Sequence, residues 1–194
     1  MSKELYLLRH GATALNGLYV GSTDVSLAED GRKQIRQTAS LLAVEQIRKV
    51  FCSPMKRCRE TLSLLHLDAS FEYDDNLREI DFGRWEGKSF EEITQKDQNF
   101  IENWRTNGES FCFPEGECIK TFNERVELFS RKVLTATEKQ ILIIAHGGTI
   151  RHLLCTFLRL SPEKKMIFDI QPGCFSTVTL YDDIGVLTGL NIKG

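Results

Sequence analysis

The sequence predicts an α/β fold: a three-layer sandwich with a mostly parallel central sheet, helices on both faces and a small helical or loop lid. Three observations point there. Short apolar runs, of the kind produced by strands buried on both faces, occur within residues 5–8, 47–52 and 140–145. Between them apolar residues fall at helical spacing, first Ile35, Ala39 and Leu42, then Met55, Cys58, Leu62 and Leu65, and later Phe122, Val126, Phe129 and Val133. The chain has 194 residues, 41% hydrophobic and 27% charged, which suits a single domain able to bury a core.

In order, the first strand is expected at residues 5–8. Ser26 and Glu29 have the S-x-x-E spacing of a capping box, which predicts a helix entered at Ser26. The second strand, 47–52, runs into Ser53-Pro54, read as an N-cap serine with proline at the first helical position. Residues 76–118 differ in character. They are rich in charge and aromatics, contain Gly108, Pro114 and Gly116, and show weak periodicity. Short helices and loops are expected there, as a lid and substrate-recognition segment inserted in one domain spanning 1–194. Helical periodicity returns over 121–134, followed by the strand at 140–145 and a helix over 149–158. Two β segments, 174–181 and 186–192, flank a turn at Asp182-Asp183-Ile184-Gly185, and this hairpin allows a mixed sheet.

A net charge of -2 gives no basis for nucleic acid or an anionic membrane as the main partner. Any anion site must come from a few placed arginines. No basic segment precedes a long apolar stretch near the N-terminus, and no apolar run approaches the ~20 residues of a membrane-spanning helix. A cytoplasmic location is the expectation. The six cysteines, at 52, 58, 112, 118, 155 and 174, include no C-x-x-C pair and are read as free thiols of a reducing compartment. No histidines stand at i,i+4 and there is no H-E-x-x-H, so neither a metal nor another cofactor is expected.

The chemistry concentrates at strand ends. Of four histidines, His10 and His146 each close an apolar run and precede glycine, and Arg9 stands before the first. Ligands of open α/β sheets bind beyond the carboxyl ends of strands. The 47–52 strand delivers Arg57 to the same edge, in the first turn of the next helix. Helix N-termini offer unpaired N–H groups, and arginine offers a planar fork matched to phosphate oxygens. Arg9, His10, Arg57 and His146 are therefore expected to converge on a phosphate pocket. His66 and His152 receive plainer readings, the end of a helix and a helix surface. Glu79 is a carboxylate within Leu77-Arg78-Glu79-Ile80-Asp81-Phe82-Gly83.

Leu8-Arg9-His10-Gly11-Ala12-Thr13, followed by Asn16, resembles the L-R-H-G-x-[ST]-x-x-N signature of the histidine phosphatase (phosphoglycerate mutase-like) superfamily. Four further blocks continue the resemblance in family order: residues 21–27, 53–57, 77–87 and 145–148. It implies a phosphatase that acts on a small phosphate ester through a phosphohistidine. His10 would be the nucleophile. Arg9, Arg57 and His146 would hold the transferring phosphoryl group, with Asn16, Thr13, Gly21 and Gly147 as further phosphate or substrate contacts. Glu79 would donate the proton to the leaving oxygen and then activate water. Phosphoryl transfer needs positioning and charge stabilisation above all, which two guanidinium groups can supply.

Leu15 stands where mutases of this family carry Trp, and residues 81–87 resemble the phosphatase branch. Residues 19–25, 57–61 and 114–117 extend the resemblance to phosphatases of cobalamin assembly. A phosphoglycerate mutase, a broad-specificity sugar-phosphate phosphatase and a non-catalytic phospho-ligand-binding regulatory module are the alternatives. Phe82, Trp85, Phe100, Trp104, Phe111 and Phe113 either pack the lid, the favoured reading, or stack on a substrate base.

Overall fold

Along the first strand Leu5 and Leu7 turn to one side of a sheet and Tyr6 and Leu8 to the other, and all four are buried. The same alternation runs through Ile141 to Ile144. Continuous apolar runs are what a sheet covered on both faces requires. The computed structural model describes residues 2–42, 46–182 and 184–194. Its strands are β1 (Ser2–Arg9), β2 (Lys49–Cys52), β3 (Ser70–Tyr73), β4 (Gln140–Ala145), β5 (Phe175–Tyr181) and β6 (Ile184–Ile192). They form one sheet in the order β3-β2-β4-β1-β5-β6. The β3–β2, β2–β4 and β4–β1 pairings are parallel, while β5 is antiparallel to both β1 and β6. The sheet is therefore mixed, with only β5 reversed.

Helices α1 (Glu29–Leu42) and α2 (Lys56–Leu65) cover one face, where Ile35, Leu42, Cys58 and Leu65 pack on Tyr6, Leu8, Leu142 and Ile144. On the other face lie α5 (Ile119–Thr135) and α6 (Gly147–Phe157), contributing Phe122, Val126, Phe129, Ile150 and Leu153. Residues 76–118 form three 3-10 turns and the short helices α3 (Phe90–Lys96) and α4 (Gln98–Asn107). Among the described residues no helix is long and apolar enough to cross a membrane.

Several expectations need correction. Helix α1 starts at Glu29, not just after Ser26, because the preceding chain is held by tertiary bonds. Leu27 N–H donates to Glu60 Oε2 (2.9 Å) and Ala28 N–H to the Ala12 carbonyl (2.9 Å). Helix α2 starts at Lys56 with Met55 as N-cap, so Ser53 is not the cap and Pro54 is not the first helical residue. Strand β3 is only four residues long, leaves both of its aromatics, Phe71 and Tyr73, exposed and pairs only with β2. It escapes a hydrophobic-pattern reading because it lies at the sheet edge. Strand β6 begins at Ile184; the predicted turn includes Asp183, outside the described residues.

Two side-chain readings change as well. Cys112 and Cys118 are joined by a disulfide, since the reversal through Pro114 and Gly116 brings them opposite one another in an antiparallel bridge. The other four cysteines are free and buried. His152 lies not on a helix surface but fully buried against α5, beside the Phe122 ring. His66 does end a helix, as the left-handed C-cap of α2.

Candidate active site

Strand register brings the two His-Gly pairs together. Arg9 is opposite Ala145 in the β1–β4 ladder, so His10 and His146 leave neighbouring parallel strands at one level. Their ring centroids are 5.1 Å apart. On the other side of β4, Ser53 N–H donates to the Ile144 carbonyl (2.9 Å), which sets Ser53 beside His146.

His10 is buried, with Nδ1 2.8 Å from the Gly11 carbonyl. A carbonyl only accepts, so Nδ1 carries the proton and Nε2 keeps its lone pair. Burial, reinforced by the charges of Arg57 and Arg9, pushes the His10 pKa well below the usual 6.5. The ring is neutral at neutral pH. The Nδ1 of His146 accepts from Arg57 Nε (3.1 Å), which leaves its Nε2–H to donate to Ser53 Oγ (2.8 Å). Burial and then Arg57 hold this ring neutral also. The neighbouring Cys58 thiol is pushed by burial up to about 12 and stays protonated.

Arg57, almost fully buried, donates from Nη2 to the Gly21 carbonyl (2.8 Å) and from Nη1 to the Thr23 carbonyl (2.9 Å). Each terminal nitrogen keeps one further N–H. The Gly21 turn is itself fixed by Glu86, whose carboxylate accepts the N–H groups of Gly21 (2.9 Å), Ser22 (2.9 Å) and Phe82 (3.2 Å). Arg9 donates from Nη1 to the Ile170 carbonyl (2.6 Å), while its buried Nε has no hydrogen-bond partner. An unpaired buried donor costs about 1–3 kcal/mol, and such groups are concentrated at functional sites. The guanidinium lies against Gly147, where a Cβ would sit 3.4 Å from Arg9 Cζ.

Glu79 comes from the irregular segment. Its Oε2 accepts the N–H of Gly148 (2.9 Å) in the first turn of α6, and Oε1 accepts the N–H of Ile80 (3.2 Å). A Cβ at Gly148 would meet this carboxylate and push it aside, so glycine there lets Glu79 reach the helix N-terminus.

These groups surround two adjoining cavities. The smaller, about 80 Å³, is lined by Arg9, His10, Thr13, Asn16, Arg57 and Glu79 among others. The larger, about 370 Å³, shares Arg9 and Glu79 with it and is walled by Tyr19, Phe82, Trp104, Phe113 and Phe122, with Gly147 and Arg151 also at its edge. Seven of the nine expected site residues therefore line one cavity or the other. His146 and Gly21 line neither; they stand behind Arg57 and fix its fork. Ser53 and Glu86 escape a sequence reading. Ser53 resembles a helix cap, and Glu86 acts mainly through backbone N–H groups, with the Thr23 hydroxyl as a further donor. Among the described residues no group of three or more His, Cys, Asp or Glu is placed to hold a metal.

A neutral imidazole lone pair, two guanidinium groups and a carboxylate share one small chamber. Residues 5–193 match the model of the histidine phosphatase superfamily (branch 1). The chain belongs to that superfamily. The adenosylcobalamin/alpha-ribazole phosphatase of Salmonella typhimurium is 29% identical to it over 97% of this chain and 96% of that protein. Phosphoserine phosphatase 1 of Hydrogenobacter thermophilus is 27% identical over 97% and 92%. The crystal structure of the alpha-ribazole phosphatase from Shigella flexneri superposes with a TM-score of 0.90 at 28% identity, covering 97% of this chain and 96% of that one. This histidine phosphatase is thus a hydrolase, with the same architecture over nearly its whole length.

Proposed function

We propose that this histidine phosphatase removes the phosphoryl group of alpha-ribazole 5′-phosphate through a phosphohistidine at His10. The lone pair on His10 Nε2 attacks phosphorus, the bond from phosphorus to the ester oxygen breaks, and Glu79 protonates the departing alkoxide. Glu79 then takes a proton from water, which attacks the phosphohistidine and releases inorganic phosphate and neutral His10. The unpaired Nε–H of Arg9 and the two spare N–H groups of Arg57 meet the charge on the phosphoryl oxygens. One such preorganised donor is worth about 3 kcal/mol of barrier. Asn16 and Thr13 complete the wall of the smaller cavity. His146 aligns Arg57 through Nδ1; to hold the phosphoryl group directly it must exchange Ser53 for a phosphoryl oxygen.

The observation that carries the substrate reading is the larger cavity, which shares Arg9 and Glu79 with the phosphate chamber and is lined by five aromatic residues. An apolar benzimidazole base suits such walls, while the polar backbone of a phosphoserine or phosphoglycerate leaves them unpaired. The 76–118 segment supplies Glu79, Phe82, Trp104 and Phe113 and serves as the recognition segment. The test is kcat/KM over a panel of phosphomonoesters. Alpha-ribazole 5′-phosphate should lead phosphoserine, 3-phosphoglycerate and ribose 5-phosphate by at least about 100-fold, the scale of several kcal/mol of selective contact. A lead for phosphoserine or 3-phosphoglycerate would overturn the substrate and keep the chemistry.

A further inference from the structure

Glu79 sits on a segment with little secondary structure of its own. Only the 3-10 turn Asp75–Leu77 precedes it, and no sheet ladder takes up the local carbonyls. Most of them are taken up by one side chain instead. Arg125, in the middle of α5, donates from Nη1 to the carbonyls of Asn76 (2.9 Å) and Arg78 (2.8 Å) and from Nη2 to the carbonyl of Glu79 (3.1 Å). Its remaining two N–H groups go to Glu117, Nε to Oε1 (2.7 Å) and Nη2 to Oε2 (2.8 Å). All five donors of the guanidinium are used, three of them on the backbone that carries Glu79. The fork also lies over the Phe122 ring, 4.8 Å from its centroid.

The opposite side of the same segment is held by α6, through Gly148 N–H on the carboxylate and Thr149 Oγ1 on the Arg78 carbonyl (3.1 Å). Glu79 is thus held between two helices that pack against one another, its peptide tied to α5 and its carboxylate to α6. Arg125 lines neither of the two cavities described above, although with Glu79 and Glu117 it borders a further cavity of about 470 Å³. We infer that Arg125 is a positioning residue for Glu79, holding the carboxylate where the leaving oxygen departs. Glu117 orients the guanidinium and accepts the Asp81 N–H (3.4 Å) just beyond Glu79. The inference rests on the proposed role of Glu79 as proton donor. It assigns the clamp to arginine specifically, since lysine has a point charge and cannot span three carbonyls and a carboxylate.

The test compares kcat/KM for the best alkyl phosphate of the panel and for p-nitrophenyl phosphate. This parameter reports transfer to His10, where an alkoxide needs the proton and a nitrophenolate does not. Arg125→Ala should lower the alkyl value about 10- to 100-fold, the scale of a roughly 1 Å misplacement, and the aryl value by less than about 3-fold. Guanidinium ion should restore part of the alkyl activity in Arg125→Ala and none in Glu79→Gln. Combined with Glu79→Gln, the arginine substitution should add no further loss. Equal losses on both substrates, or none, would overturn the inference. Should Arg125→Ala fail to fold, Arg125→Lys carries the same two-substrate comparison with the charge retained. Glu79→Gln alone separates the two levels. If it slows both substrates equally, the acid role falls; if it discriminates and the Arg125 variants do not, only the positioning role falls.

Discussion

His10, the proposed nucleophile, is held neutral by effects that act in one direction. Burial, Arg57 and Arg9 all disfavour the imidazolium, and the Gly11 carbonyl fixes the proton on Nδ1. A lowered pKa means that the reactive neutral form persists as pH falls below 6.5. An NMR titration should find the His10 ring still neutral at pH 6; a midpoint near 6.5 would contradict this environment. Glu79→Gln should slow an alkyl phosphate far more than an aryl phosphate in kcat/KM, and equal slowing would remove Glu79 as the acid. At this scale the arginines and histidines are legible in the sequence because strand ends and helix starts restrict what can follow them. Ser53 and Glu86 are not legible. Their main partners, the His146 ring and the N–H groups of 21 and 22, are distant in sequence and become neighbours only in the folded chain.

Between α5 and α6, His152 shows how an element's face can be misread. The α6 helix is covered by the sheet, by α5 and by the 3-10 turn Pro162–Ile167, so its buried face is wider than an amphipathic stripe suggests. Neither ring nitrogen of His152 has a hydrogen-bond partner, and Glu127 Oε1 is 3.6 Å away. Burial, with a smaller push from Lys165, lowers its pKa to about 4. The folded value lies below the unfolded one, so the unfolded chain binds more protons between them. Stability from this group is intact above about 6.5 and is lost as pH falls toward 4. Urea unfolding at pH 7 and pH 5 should show ~2 kcal/mol of acid destabilisation that is absent in His152→Leu. Parallel losses in both proteins would contradict the buried neutral ring. The strand β3 and the Cys112–Cys118 bridge escape the sequence for related reasons. An edge strand buries little, and a turn that brings two cysteines opposite one another leaves no spacing signature.

For the molecule as a whole, the sheet and the irregular segment divide the work. Central strands β1 and β4 bring His10, Arg9 and Gly147 to one edge with the precision of a hydrogen-bonded register. The 76–118 segment, built around the buried Trp85 and its rings Phe111, Phe113 and Trp104, delivers Glu79 and most of the aromatic wall. The packing and substrate readings of those aromatics are therefore not exclusive. Trp85 and Phe111 are buried packing groups, while Phe82, Trp104 and Phe113 also face the larger cavity. This division explains why the reaction is readable from motifs and the substrate is not. Phosphate geometry is written in strand ends, whereas the shape of the larger cavity depends on how weakly periodic segments pack. The claim on which the whole account depends is transfer of the phosphoryl group to His10. Rapid acid-free quenching during turnover of a ³²P-labelled substrate, followed by peptide mapping, measures it directly. The account predicts label that is acid-labile and base-stable on the peptide containing His10, and none in His10→Ala, which should fold and be inactive. A wild-type enzyme that turns over with no label on that peptide, or an active His10→Ala variant, would contradict it.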